Sequence, residues 1–255
     1  MIKVDRLKEF VRDVWKSCTG ADDDDDDAES IAESLTEANL YGIDTHGVRL
    51  LELYMRRIED GSVKKRPHVT ITTPYPCLHI VDADGGLGAP AGFRAIDECI
   101  KAAEMYGMSM ANVRNVGHAG CMGVYTRRAA RRGYIAYAFS ACPSAMATPN
   151  GKEPYFGTNP ISFAAPRGRD DSPFCIDMAM TETTVNWIWK ARNEGRPVPE
   201  GWALDASGAP TTDARDVLSL MPIGGHKGFA LAAMVEVMTS ILAGFVEMNK
   251  KRNRQ

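Results

Sequence analysis

Apolar residues recur at helical spacing through the first quarter of the chain. Ile31, Leu35 and Ala38 form one stripe that Gly42 breaks, and Val48, Leu51, Tyr54, Met55 and Ile58 form a second that Gly61 stops. Residues 5–60 therefore read as helical. Alternation of period two takes over at 69–73 (Val-Thr-Ile-Thr-Thr) and 78–82 (Leu-His-Ile-Val-Asp), which read as strands. A helix is predicted over 90–106, opening on Pro90, and another over 119–132, ended by Gly133. Strands are predicted at 108–113, 134–140, 161–165 and 174–179. A helix from Thr181 to Arg196, a Gly/Pro/Asp-rich loop through Asp213 and a last helix from about Lys227 complete the pattern. Helices and strands alternate in the middle, which predicts an α/β core.

Composition narrows the class. The 255 residues are 44% hydrophobic and 25% charged, enough for a sizeable core. A net charge of -3 gives no footprint for nucleic acid. The basic clusters Arg127-Arg128 with Arg131-Arg132, and Lys250-Lys251-Arg252, read as solvated surface. The Asp22–Asp27 run lacks the spacing and glycine of a calcium loop and reads as a solvated turn into the next helix. The N-terminus has no apolar signal-peptide core. Cys18, Cys77, Cys99, Cys121, Cys142 and Cys175 are scattered without a C-x-x-C pair, which predicts reduced, mostly buried thiols in a cytoplasmic protein. The apolar stretch Phe229 to Phe245 is interrupted by Glu236 and diluted by Thr239 and Ser240, so a buried core helix is expected there rather than a membrane span.

The first candidate site is Tyr41-Gly42-Ile43-Asp44-Thr45-His46-Gly47-Val48-Arg49. Asp44 or Thr45 is expected to cap the second helix, placing His46 and Arg49 on one face of its first turn. The positive helix end would keep His46 a neutral base, and Arg49 offers a planar fork for a carboxylate. Taken alone, the pattern reads first as a capped helix with two polar surface side chains. Asn115-Val116-Gly117-His118-Ala119-Gly120 puts a second histidine after a strand, where α/β proteins keep their sites; a site histidine and a helix-capping histidine fit it equally.

Two glycine-rich turns invite phosphate readings. Gly85-Gly86-Leu87-Gly88-Ala89-Pro90-Ala91-Gly92 follows a strand and opens a helix, but its spacing departs from the dinucleotide fingerprint and no acidic residue ends the next strand. A tight turn is the better reading. Pro222-Ile223-Gly224-Gly225-His226-Lys227-Gly228 leads into a helix and can approach pyrophosphate without being a Walker A motif. Gly157-Thr158-Asn159-Pro160 is a turn with two polar side chains. Ile176-Asp177-Met178-Ala179-Met180-Thr181 sets one carboxylate in an apolar strand, where it must find donors such as ribose hydroxyls. His118-x-x-Cys121 lacks a second ligand pair, so no metal site is expected.

In order, the segments GIDTHGVRLLELYMRRIEDG, GHAG, GTNPISFAAP, IDMAMT, GRPVPEGWALDASGAPTTD and PIGGHKGFALAAMVEV resemble the malate/L-lactate/ureidoglycolate dehydrogenase family, over about residues 30 to 245. The resemblance implies an oxidoreductase using NAD or NADP on a mixed-sheet, non-Rossmann α/β fold. Residues 1–66 would form an N-terminal helical region with the substrate motif, and 67–255 the cofactor-binding and dimerisation core. It further implies that His46 and His118 handle the substrate proton and that Arg49 holds the carboxylate of a small 2-hydroxy or 2-oxo acid. Ser140, Thr158, Asn159, Ile176, Asp177, Met178, Ala179, Met180, Thr181, His226 and Lys227 would line the cofactor, in a homodimer. Family members continue past Gln255, so a C-terminally truncated chain with weakened cofactor binding is expected. A non-catalytic truncated homologue and a cyclic 2-imino-acid reductase are the alternatives. NAD against NADP, the substrate's side chain and the proton-transferring histidine stay open.

Overall fold

Each predicted element forms, with ends displaced by up to four residues. The computed structural model describes residues 2–22, 26–168 and 172–244, so residues 23–25 of the Asp22–Asp27 run and the polar tail lie outside the described residues. The chain divides into two compact units, one of residues 1–136 and 163–175, the other of residues 137–162 and 176–255.

The first unit carries α1 (Val4–Thr19), α2 (Asp26–Leu40), a 3-10 turn (Asp44–His46), α3 (Leu50–Glu59), β1 (Thr70–Tyr75), β2 (Leu78–Asp82), α4 (Gly88–Tyr106), β3 (Met110–Arg114) and α5 (Gly123–Arg131). β1 pairs antiparallel with β2, and β2 pairs parallel with β3 in a register that sets Val81 opposite Val113. A parallel pair needs a crossover, and α4 supplies it. Val81, Ala83, Ala91 and Ala95 pack together between that sheet and the helix. α5 starts four residues later than its pattern predicts. Gly120 takes φ +72, a left-handed conformation that ends the preceding loop instead of opening a helix.

The second unit carries β5 (Met146–Ala147), β6 (Pro154–Phe156), α6 (Val185–Asn193), β9 (Ala203–Leu204), β10 (Ser219–Leu220), α7 (His226–Glu236) and a π turn (Val237–Ile241). The short strands order as β6-β5-β10-β9. At two or three residues each, they carry no legible alternation. β4 (Ala136–Phe139), β7 (Ile161–Ala165) and β8 (Phe174–Met178) form a third sheet in the order β4-β7-β8. α6 starts at Val185 rather than Thr181. Thr181 is bridged to Pro222, and Thr184 caps the helix by accepting from the Trp187 N–H at 3.2 Å.

Three expectations need correction. Arg127 is buried, not solvated, and its Nε donates to Glu37 at 2.7 Å; Arg128 is half-buried on Asp97. Opposite charges on α2 and α4 draw these arginines inward, which composition alone does not reveal. Of the six thiols only Cys121 is buried, and Cys77 is exposed. The last helix buries only Gly228, Ala232 and Val235 of its residues, while Leu231, Met234 and Val237 remain exposed, so it is one-sided rather than a core helix. Among the described residues no helix is long and apolar enough to cross a membrane.

Candidate active site

His46 does not sit in the first turn of α3. The 3-10 turn ends on His46, and α3 begins only at Leu50, so neither Asp44 nor Thr45 caps it. Asn39, at the end of α2, fixes the turn from outside: its Oδ1 accepts from the Val48 N–H at 2.9 Å and its Nδ2 donates to Asp44 at 2.6 Å. A side chain on Gly47 would run into the Asn39 amide at 2.3 Å, which accounts for the glycine. His46 lies ahead of the first turn of α3, where the helix dipole acts. Arg49 precedes α3, is exposed, and makes no ion pair among the described residues.

His118 comes from the loop after β3. That loop is held to the β2–α4 turn by two backbone bonds, Gly117 N–H to Gly86 O at 2.8 Å and Gly88 N–H to His118 O at 3.0 Å. Cβ atoms on Gly86, Gly88 and Gly92 would meet Pro67, Ala119 and Tyr125 at 2.6, 2.4 and 2.5 Å. The space beside these three glycines is already filled by the chain itself. Gly88 lets backbone approach backbone, while Gly86 and Gly92 make room for the Pro67 ring and the Tyr125 side chain, as the tight-turn reading expects.

The two histidine rings stack at 5.7 Å between centroids and 18° between planes. The Tyr54 hydroxyl lies 2.7 Å from His118 Nδ1, and the Gly120 N–H donates to the same nitrogen at 3.3 Å. Burial, aided by neighbouring His46 and Arg57, pushes His118 down to about 4. Burial pushes the Tyr54 phenol well up, so it stays protonated. Tyr54 and Arg57 were not singled out as site residues from sequence. The one available signal was a tyrosine inside an otherwise aliphatic stripe, because a buried phenol needs a polar partner.

The His118 shift has a consequence for stability. A free histidine takes its proton near 6.5 and the folded ring near 4, so between those values the unfolded chain binds the extra proton. Stability contributed by the neutral ring is complete above about pH 6.5 and is lost as pH falls toward 4. His118→Gln should flatten that part of the curve in urea denaturation. An unchanged slope would remove His118 as its cause.

The residues expected at a cofactor all lie in the second unit. Ile176 and Met178 are exposed on β8, with Asp177 half-buried between them. His226 and Lys227 are exposed at the start of α7, whose N-terminus has no side-chain cap. Gly224 and Gly225 hold positive φ, and a Cβ on either would meet nothing within 4 Å, in contrast to the filled glycine turn of the first unit. An open, uncapped, cationic helix start fits an anionic dinucleotide. Ser140, Thr158 and Ala179 are half-buried. Asn159, Met180 and Thr181 are buried. The Asn159 amide is spent inside the protein, accepting from Cys142 N–H at 3.0 Å and donating to Ala232 O and Glu236 at 3.0 Å each. Its side chain holds the loop that presents Thr158. Among the described residues no group of three or more His, Cys, Asp or Glu is placed to hold a metal ion.

Known proteins resemble this chain in sequence and in fold. The chain is 38% identical over 220 residues to (2R)-3-sulfolactate dehydrogenase (NADP(+)) of Chromohalobacter salexigens, covering 86% of this chain and 66% of that protein. It is 36% identical over 219 residues to ureidoglycolate dehydrogenase (NAD(+)) of Escherichia coli K12, covering 85% and 62%. It thus spans less than two thirds of the length of these relatives. The solved structure of delta1-piperideine-2-carboxylate reductase from Pseudomonas syringae superposes with a TM-score of 0.88 at 28% identity, over 95% of this chain and 73% of that one. The family profile described as malate/L-lactate dehydrogenase matches residues 2–253, and the chain belongs to that family.

Proposed function

We propose that this protein is a nicotinamide-dependent oxidoreductase that moves a hydride between the cofactor and C2 of a small 2-hydroxy or 2-oxo acid, such as malate, lactate or ureidoglycolate. The observation that carries this reading is the stacked His46–His118 pair, together with an exposed Arg49, three residues after His46, that has no ion-pair partner among the described residues. Arg49 clamps the substrate carboxylate in a bidentate fork and so aligns C2. The histidine pair holds the C2 oxygen and manages its proton. Gly224, Gly225, His226 and Lys227 receive the pyrophosphate, while Ile176 and Met178 offer apolar surface to the rings and Asp177 accepts from ribose hydroxyls. When bound, the nicotinamide supplies the hydride acceptor at C4. The relatives' names support either NAD or NADP.

A titration of the full chain with NADH and NADPH, followed by nicotinamide fluorescence, tests the cofactor assignment and selects between the two. A panel of 2-oxo acids with the preferred cofactor tests the substrate class. Arg49→Lys should lower kcat/KM about 10- to 100-fold, mainly through KM, because a charge-assisted fork of about 1.5–3 kcal/mol becomes a point contact. Unchanged kinetics in the lysine variant would sink the clamp. A second reading is favoured by the likeness to the piperideine-carboxylate reductase: the same carboxylate clamp serving a cyclic 2-imino acid. Turnover of a cyclic imine in preference to every 2-oxo acid would decide for it. The reading includes a homodimer, which sedimentation of the full chain tests.

A further inference from the structure

We propose that Glu182 is a resident anion at the glycine-rich turn of the second unit, and that it competes with the cofactor's pyrophosphate and so sets how tightly the turn takes it. This rests on the reading of Gly224 to Lys227 as the pyrophosphate turn. The Gly224 N–H donates to Glu182 Oε1 at 3.2 Å. A backbone amide in a glycine turn ahead of a helix is the donor that such a turn offers to a phosphate. Here a carboxylate of the protein holds it.

Backbone pairing plants the carboxylate there. The Ile223 N–H donates to Met180 O at 3.0 Å, the Glu182 N–H donates to Met221 O at 2.9 Å, and Thr181 is bridged to Pro222. Residues 180–182 therefore run beside 221–223, which places position 182 next to the turn. Glu182 is exposed and makes no ion pair among the described residues.

The other amides of the turn have different partners. The Gly225 N–H goes to Pro222 O and the Gly228 N–H to Ile223 O, each at 3.0 Å. Both are spent on carbonyls fixed in the backbone. The His226 and Lys227 amides open α7 and make no hydrogen bond among the described residues. Gly224 alone among these donates to a side chain, and an exposed carboxylate on a flexible stem can leave. A pyrophosphate thus meets two open amides and one that it gains only by displacing Glu182.

Charge decides the sign of the effect. His226 and Lys227 favour an anion at the turn, while Glu182 keeps a negative charge beside it even after yielding the amide. Removing that charge should therefore tighten binding. If the carboxylate instead served the ligand, by accepting from ribose hydroxyls, its removal would weaken binding.

Calorimetric titration of the full chain with ADP tests this without turnover, because ADP carries the pyrophosphate and no nicotinamide. Glu182→Gln keeps the size and an acceptor for the Gly224 N–H but removes the charge; Glu182→Ala removes both. Both variants should bind ADP about 5-fold tighter at low salt, the weight of one like charge at contact distance in water. The gain should shrink as salt is raised. A carboxylate that only braces the turn predicts another pattern, with the glutamine variant unchanged and the alanine variant weaker. Unchanged or weaker ADP binding by Glu182→Gln overturns the proposal. Lys227→Gln separates this from failure of the turn reading, which requires that variant to bind ADP more weakly. ADP affinity indifferent to Lys227→Gln, or no ADP binding by any of the four proteins, overturns the turn reading and the role of Glu182 with it.

Discussion

Glu37→Ala should destabilise the protein by about 3–5 kcal/mol, the cost of leaving a buried ion without its partner. Glu37 is 7% exposed and Arg127 2%. The carboxylate accepts from Arg127 Nε at 2.7 Å and from both terminal nitrogens of Arg131 at 3.1 Å. Arg127 also lies over the Tyr41 ring at 3.8 Å, and its Nη2 is already buried without a hydrogen bond. Removing Glu37 would leave that guanidinium with the Cys175 sulfur at 3.5 Å as its remaining hydrogen-bond acceptor. The double variant Glu37→Ala with Arg127→Met should recover much of the loss, because removing both members also removes the desolvated charge. Urea denaturation of the three proteins checks this, and a loss below about 1 kcal/mol in the single variant would show that water reaches the pair. The triad also matters for the site. Glu37 lies two residues before Asn39, which holds the His46 turn, and Arg127 lies on the helix that follows the His118 loop. The ion pairs tie together the two segments that bring the histidines into contact.

Gly88→Ala should damage catalysis more than stability. The added Cβ would stand 2.4 Å from Ala119 Cα and 2.9 Å from its nitrogen, both backbone atoms that cannot swing aside. Overpacking of this kind costs about 1–3 kcal/mol. The loop that must give is the one whose His118 carbonyl accepts from Gly88 N–H at 3.0 Å. A shift of about an ångström at a reacting group costs about 10²-fold in rate. The variant should therefore fold cooperatively and lose about 10²-fold in kcat, with its cofactor titration unchanged because the proposed cofactor residues lie elsewhere. Gly224→Ala is the contrasting variant, since its Cβ would meet nothing within 4 Å and only its φ of +59 resists the change. It should weaken cofactor binding with little effect on His118. If Gly88→Ala impaired cofactor affinity as much as turnover, the early glycines would be a dinucleotide turn after all.

The positions of the secondary elements were readable because apolar spacing and glycine stops are local. α2, α3 and α4 follow their stripes, and β2 and β3 follow alternation and apolar content. Element ends were readable only where a local residue sets them. Thr184 caps α6 and displaces its start by four residues, a choice made by the bridge between Thr181 and Pro222 rather than by the helix's own sequence. The short strands β5, β6, β9 and β10 exist through pairing with distant partners and had no local trace.

The candidate site divides in the same way. Its residue types and their order along the chain, which carry the family resemblance, are properties of the sequence alone. So is the rejection of the first glycine turn as a phosphate loop, which poor spacing already disfavoured. Only the tertiary structure decided that His46 and His118, seventy-two positions apart by their numbers, stack as a pair, and that Tyr54 reaches across from α3 to one ring nitrogen. It also turned Arg127 from apparent surface into a buried counter-ion for Glu37. The physical reason is one of range. Backbone propensity and amphipathic period act over a few residues and can be summed along a chain. Tautomer, proton affinity and the burial of a charge depend on which distant groups surround an atom, and those neighbours exist only after the chain has packed.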